Sequence, residues 1–84
     1  MNYTVEATWD SAANVWVAAS SDVPGLVLEN ESSDVLIKEV LDTIPELLEL
    51  AGVQVKDEKN TVTISFSKEF MFKNSKISET EANG

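Results

Sequence analysis

The sequence predicts an α+β fold with the element order β-β-β-α-β, in which an antiparallel sheet of three to four strands carries one helix on one face. Three observations lead to this prediction. Apolar and polar residues alternate over residues 3–9, a proline-glycine break separates two further β-rich runs, and residues 34–51 repeat apolar side chains every three or four positions. With 84 residues, we expect one domain at 1–73 and a disordered polar tail at 74–84.

The first two strands are predicted to pair as a β-hairpin. Apolar residues take the odd positions from Tyr3 to Trp9, as in a strand with one buried face. Turn formers fill residues 10–14, and β-branched and aromatic residues resume at 15–19. The odd positions of this second run share one face, so Trp16 is expected on the opposite, more exposed side.

Residues 22–25, Asp-Val-Pro-Gly, break the chain before a short third strand at 26–28. Proline fixes φ and removes a hydrogen-bond donor, whereas glycine tolerates a positive φ. A helix follows, for which Ser32 and Ser33 are both N-cap candidates and Gly52 is the expected C-terminal cap. Pro45 lies inside the pattern and predicts a kink or a restart. The predicted apolar face consists of Ile37, Val40, Leu41, Ile44, Leu47, Leu48 and Ala51.

A polar connection at 53–60 leads to a fourth alternating run at 61–66, in which Val62, Ile64 and Phe66 are expected to face the core. The next apolar group, residues 70–72, has two open interpretations. It adds an edge strand that extends the sheet, or it pairs with a second chain.

Charge and amino-acid composition exclude several classes of function. The net charge is −9 overall, and all of it resides in residues 1–52, because residues 53–84 carry equal numbers of acids and lysines. This argues against direct binding to nucleic acid or anionic lipid and favours a basic protein partner, with plain solubility as the alternative. Without cysteine or histidine, thiol and imidazole chemistry is excluded, and we expect no metal or cofactor. The first residues resemble no secretory signal and no apolar run could span a bilayer, so we expect a cytoplasmic protein.

Four segments together carry a resemblance: residues 9–10, Trp-Asp; 15–18, Val-Trp-Val-Ala; 22–26, Asp-Val-Pro-Gly-Leu; and 44–48, Ile-Pro-Glu-Leu-Leu. They resemble a small bacterial family of unknown function that is grouped with the HicB-like antitoxin superfamily. The resemblance covers roughly residues 3–66 and implies a reduced RNase H-like fold and an antitoxin-like, non-enzymatic role.

The chain departs from that superfamily in two places. Only a short polar segment follows Phe66, which is too weakly periodic for the DNA-binding helices that such antitoxins carry, so DNA binding by this chain is not expected. The superfamily also tends to place an acid three residues after the N-cap, where this chain has Val35, so the cap depends on a single serine.

Candidate protein-binding residues fall into three groups, each with a purely structural alternative. The row of acidic residues along the helix either binds a basic partner or forms an ordinary solvated surface. Trp16 is a recognition aromatic, or it packs across a dimer or under residues 70–72. Apolar side chains that lie outside the predicted core, together with the small size of that core, favour a homodimer. The candidates are Trp16, Glu39, Asp42, Glu46, Glu49, Phe70 and Phe72.

The RNase H likeness also raises a remote alternative, a nuclease that uses Mg²⁺ held by carboxylates. Glu6, Asp10 and Asp22 are the acids close enough to the first strands. The two aspartates are better explained as turn residues that bind backbone N–H groups. The leading expectation is therefore a stand-alone antitoxin-like partner of a small basic protein, with a homodimeric structural domain as the alternative.

Overall fold

The computed structural model describes residues 1–55 and 59–73. It confirms the predicted α+β class and the element order. The disordered tail expected at 74–84 lies outside the described residues. The elements are β1 (Asn2–Asp10), β2 (Val15–Ala19), β3 (Val27–Asn30), α1 (Ser33–Leu50) and β4 (Thr61–Ser67).

The sheet is mixed, and the expectation of a wholly antiparallel sheet is wrong for one strand. Its order is β3-β2-β1-β4, with β1-β2 and β2-β3 antiparallel and β4 parallel to β1. The helix is the reason. It carries the chain back along the length of the sheet after β3, so the next strand must run in the same direction as β3 and β1.

The loop after β2 completes the edge of the longer strand β1. Antiparallel pairing ends at Glu6 and Ala19, although β1 continues to Asn2. Beyond that point the Ser20 hydroxyl donates to the main-chain oxygen of Thr4 at 2.6 Å, and the Thr4 N–H donates to a carboxylate oxygen of Asp22 at 2.8 Å. Side chains of the loop therefore replace the missing strand residues.

A tight turn then leads into β3. The N–H of Leu26 donates to the carbonyl of Val23, and Gly25 between them has a φ of +80°, as expected from the proline-glycine pair. β3 begins at Val27, one residue later than predicted, and Leu26 is buried in the core instead.

Both predicted helix caps are confirmed. The Ser32 hydroxyl accepts the N–H of Val35, and Gly52, with a φ of +79°, donates to the carbonyl of Glu49. The N–H of Val53 reaches the carbonyl of Leu48, which completes a Schellman motif. The helix does not restart at its proline, because α1 is a single element from end to end.

The buried face of the helix differs in part from the predicted one. Its fully covered side chains follow a four-residue repeat that starts at Leu36, a residue absent from the prediction. Leu41, which the prediction placed in the core, is 49% exposed. The core between sheet and helix consists of Tyr3, Val5, Ala7, Ala18, Val23, Leu26, Leu36, Val40, Ile44 and Leu48.

Candidate functional site

The outward side of α1 carries three of the four predicted acidic residues. Asp42, Glu46 and Glu49 are exposed, and none of them forms an ion pair with another described residue. We call these three carboxylates the acidic face. No ion pair within the described part of the chain occupies these carboxylates, so a cationic partner would meet all three on one side of the helix.

Glu39 does not belong to the acidic face. It is half-buried, and its Oε1 atom accepts a hydrogen bond from the side-chain amide of Asn30 at 2.9 Å. The Oδ1 atom of Asn30 in turn accepts the N–H of Ser32, the N-cap of the helix. Glu39 therefore ties the end of β3 to the first turns of α1, which is a structural role.

Trp16 lies on the helix side of the sheet, so the prediction that it faces outward is wrong. Its partner across the antiparallel ladder is Trp9, and directly opposite residues of a ladder share a face. The Trp16 ring makes edge-to-face contacts with Trp9 at 5.3 Å and with Phe66 at 5.1 Å between ring centroids. We call these three rings the aromatic cluster.

The apolar group after β4 is largely uncovered. β4 ends at Ser67, and residues 68–73, which we call the arm, are not part of the sheet in this chain. Phe70 and Phe72 are 78% and 79% exposed, and Met71 is fully exposed. Lys68 anchors the base of the arm, with its Nζ atom 4.3 Å from the centre of the Trp9 ring. Two large aromatic side chains are thus presented to solvent beside an ordered sheet.

An apolar groove that sequence reasoning missed lies between α1 and the start of β4. It encloses about 230 Å³. The helix packs over β2 and β3, which leaves the β4 side of the same sheet face partly open. The sequence did contain an indication of this groove. The helix has more apolar residues than one buried face can accommodate, and Leu41 is one of the residues in excess. The lining includes Tyr3, Leu41, Ile44, Pro45, Leu48, Val55 and Val62.

The carboxylates considered for metal chemistry have backbone partners. Asp10 accepts the N–H groups of Ala12 and Ala13 in the hairpin turn, and Asp22 accepts the N–H of Thr4. The turn interpretation is thus confirmed for Asp10, whereas Asp22 binds a neighbouring strand. Among residues 1–55 and 59–73, no three acidic side chains gather into a group that could hold a metal ion. Within those same ranges, no helix has the length and apolar character needed to span a membrane.

Comparison with known proteins places the chain in a family. A search of curated proteins finds no match. A solved structure, the hypothetical protein TTHA1013 from the extremely thermophilic bacterium Thermus thermophilus, is similar with a TM-score of 0.74 and 35% identity, over 86% of this chain and 100% of that one. The sequence profile described as "Domain of unknown function (DUF1902)" matches residues 2–76. The chain therefore belongs to the DUF1902 family.

Proposed function

We propose that this protein is a non-enzymatic protein-binding module of the HicB-like type, a stand-alone antitoxin-like partner of a small basic protein. The observation that carries the proposal is the acidic face, which displays Asp42, Glu46 and Glu49 without an ion pair to any described residue. Charged surfaces of this kind steer oppositely charged proteins and select among them. The resemblance to HicB-like antitoxins supplies the class of partner.

The negative charge of this region also disfavours binding of phosphate-rich partners such as nucleic acids. All of the net charge of −9 lies in residues 1–52, which form most of the sheet and the whole helix. A nucleic acid would approach this region against electrostatic repulsion, whereas a basic protein would be attracted.

A comparative pull-down from the source cell tests the proposal. The baits are the full chain and the triple variant Asp42→Asn, Glu46→Gln and Glu49→Gln, which removes charge from exposed positions without altering the core. We expect a small basic protein on the wild-type bait at low salt, and its loss both with the triple variant and at high salt. Calorimetry with the recovered protein then measures the salt dependence. Retention of the same proteins by both baits would contradict the proposal.

A homodimeric structural domain is the second candidate, and a separate observation favours it. Phe70 and Phe72 are mostly exposed just beyond the end of an edge strand. A small domain with two uncovered aromatic side chains gains stability by burying them against another copy. Sedimentation equilibrium on the full chain tests this candidate, because a monomer at high concentration would exclude it.

A further inference from the structure

We propose that the rings of Trp9 and Phe70 form a binding site for a lysine side chain of the basic partner, and that Lys68 occupies this site until the partner displaces it. The inference rests on the proposed function for the identity of the occupant. It involves none of the residues of the acidic face, and it names the contact that the partner's ammonium group would make.

The two rings already hold an ammonium group. The Nζ atom of Lys68 lies 4.3 Å from the centre of the Trp9 ring and 5.4 Å from the centre of the Phe70 ring. Both distances fall within the range of about 6 Å over which the face of a ring attracts a cation. Tryptophan gives the strongest attraction of this kind, and alkylammonium ligands are recognised by groups of aromatic rings. The pair of rings therefore has the chemistry of a site for an alkylammonium group.

Rings, rather than a carboxylate, hold the charged end of Lys68. The chain has 15 acidic residues, yet Lys68 forms no ion pair and no side-chain hydrogen bond with another described residue. Its contacts with Trp9 and Phe70 are thus the interactions that place its ammonium group within the described part of the chain.

The Trp9 ring is held in place without help from Lys68. Trp16 is its partner across the β1–β2 ladder and meets it edge-to-face, with 5.3 Å between ring centroids. Trp16 is in turn fixed by its contact with Phe66. The Trp9 ring therefore keeps its orientation when Lys68 leaves, and a binding surface that is already ordered costs less to use.

Lys68 is a weakly held occupant. β4 ends at Ser67, and the arm that begins at Lys68 is not part of the sheet. Lys68 and Phe70 are both exposed to solvent. At exposed positions, a contact between a cation and a ring favours the occupied state by only about two- to fivefold. A lysine of a partner that is also bound elsewhere can therefore replace it.

Charge around the rings selects a cation as the ligand. Asp10 directly follows Trp9 in the chain, and Glu69 and Trp9 line the same depression of about 280 Å³. The net charge of −9 in residues 1–52 repels anions from this end of the sheet. A lysine side chain also brings a methylene stem that packs against an aromatic ring. A basic protein supplies such side chains.

The first test is an NMR titration of the full chain with N-acetylated tetralysine amide. The chain has two tryptophans, so two indole N–H signals are expected, and Trp16→Phe identifies which one belongs to Trp9. We expect the Trp9 signal to move and to saturate. The same peptide with its four side chains acetylated is the control, and it should leave the signal unmoved because it carries no ammonium group. Equal shifts with both peptides would overturn the cation site.

The second test vacates the site. Lys68→Ala should bind tetralysine about three- to sixfold more tightly than Lys73→Ala, because the rings are then free in every molecule. Lys73→Ala is the matched control, since it removes the same charge from the arm and leaves Lys68 in place. Equal affinities of the two variants would overturn the displacement of Lys68.

The third test removes one ring. In the Lys68→Ala background, Phe70→Leu should weaken tetralysine binding about two- to fivefold. Phe70 is 78% exposed, so this substitution leaves the core intact. Met71→Leu, at the neighbouring exposed position, is the control and should leave the affinity unchanged. Equal effects of the two substitutions would overturn the role of Phe70.

The outcomes separate this site from the proposed function. If tetralysine leaves the Trp9 signal unmoved, the site is overturned, while the pull-down still tests a basic partner at the acidic face. If tetralysine saturates the Trp9 signal but the pull-down recovers no basic protein, the alkylammonium site stands and the antitoxin-like role is overturned.

Discussion

The carboxylate of Asp22 accepts a hydrogen bond from the main-chain N–H of Thr4 at 2.8 Å, so a loop residue completes the edge of a strand eighteen positions earlier in the chain. We expect Asp22→Ala to lower the free energy of unfolding by about 1 kcal/mol, because the Thr4 N–H loses a charged acceptor. Urea denaturation measures the loss. Ser21→Ala, at an exposed neighbour with no role in this contact, should be neutral.

The same contact tests the remote nuclease alternative. If Asp22 serves the backbone, Asp22→Asn keeps an acceptor oxygen and should recover most of the stability lost in Asp22→Ala. A titration with Mg²⁺ followed by NMR should leave the signals of Glu6, Asp10 and Asp22 unmoved. Shifts that saturate at all three would contradict the structural role.

Glu39 and Asp42 carry the same charge on one helix but should respond differently to substitution. Glu39→Ala removes the acceptor of the Asn30 amide and is expected to lower the free energy of unfolding by about 1 kcal/mol. Asp42→Ala should change it by less than about 0.5 kcal/mol, because the side chain is exposed. A double-mutant cycle with Asn30→Ala isolates the pair. Additive losses in that cycle would show that the contact contributes nothing.

Leu36 and Leu41 provide a matched comparison of burial. Leu36 is fully buried, so Leu36→Ala is expected to lower the free energy of unfolding by about 2–5 kcal/mol. Leu41→Ala should cost less than about 1 kcal/mol in dilute protein, because about half of the side chain already contacts solvent. If Leu36→Ala does not fold, the milder Leu36→Met keeps the comparison measurable by thermal unfolding. Equal costs at the two positions would contradict the assigned helix face.

Gly52 has a φ of +79° and open space where a side chain would project. Gly52→Ala should therefore lower the free energy of unfolding by about 1 kcal/mol, through backbone strain alone. Gly52→Asn should cost less, because asparagine tolerates this conformation better. Denaturant titrations of the two variants against wild type check the order. A neutral Gly52→Ala would contradict the strain expected for a side chain at this positive φ.

Local chemistry predicted most of the elements, because caps, turns and strand alternation depend on residues that are close in the chain. Ser32, Gly25 and Gly52 are examples, since each determines the conformation of residues only a few positions away in the sequence. The β1–β4 pairing was different. Its parallel direction depends on the path of the helix across the sheet, which no local pattern of β4 reveals.

The candidate surfaces were harder to predict for a related reason. β2 is apolar on both of its faces, so alternation alone could not decide which side Trp16 takes, and the pairing with Trp9 decided it. On the helix, Val35, Leu36 and Ile37 are all apolar, and their sequence does not indicate which of them the sheet covers. Glu39 resembles the other helix acids until β3 brings Asn30 beside it.

The parallel pairing of β1 with β4 joins the first strand of the described residues to the last one. During synthesis, one edge of β1 therefore has no strand to pair with until residue 67 has left the ribosome, and the hairpin emerges long before its sheet can close. Pairing between such distant segments makes folding slow and leaves an apolar strand exposed in the meantime. The hydrogen bonds that Ser20 donates to Thr4 and that Asp22 accepts from Thr4 shield only the other edge. The nascent chain is consequently most prone to aggregation just before β4 appears.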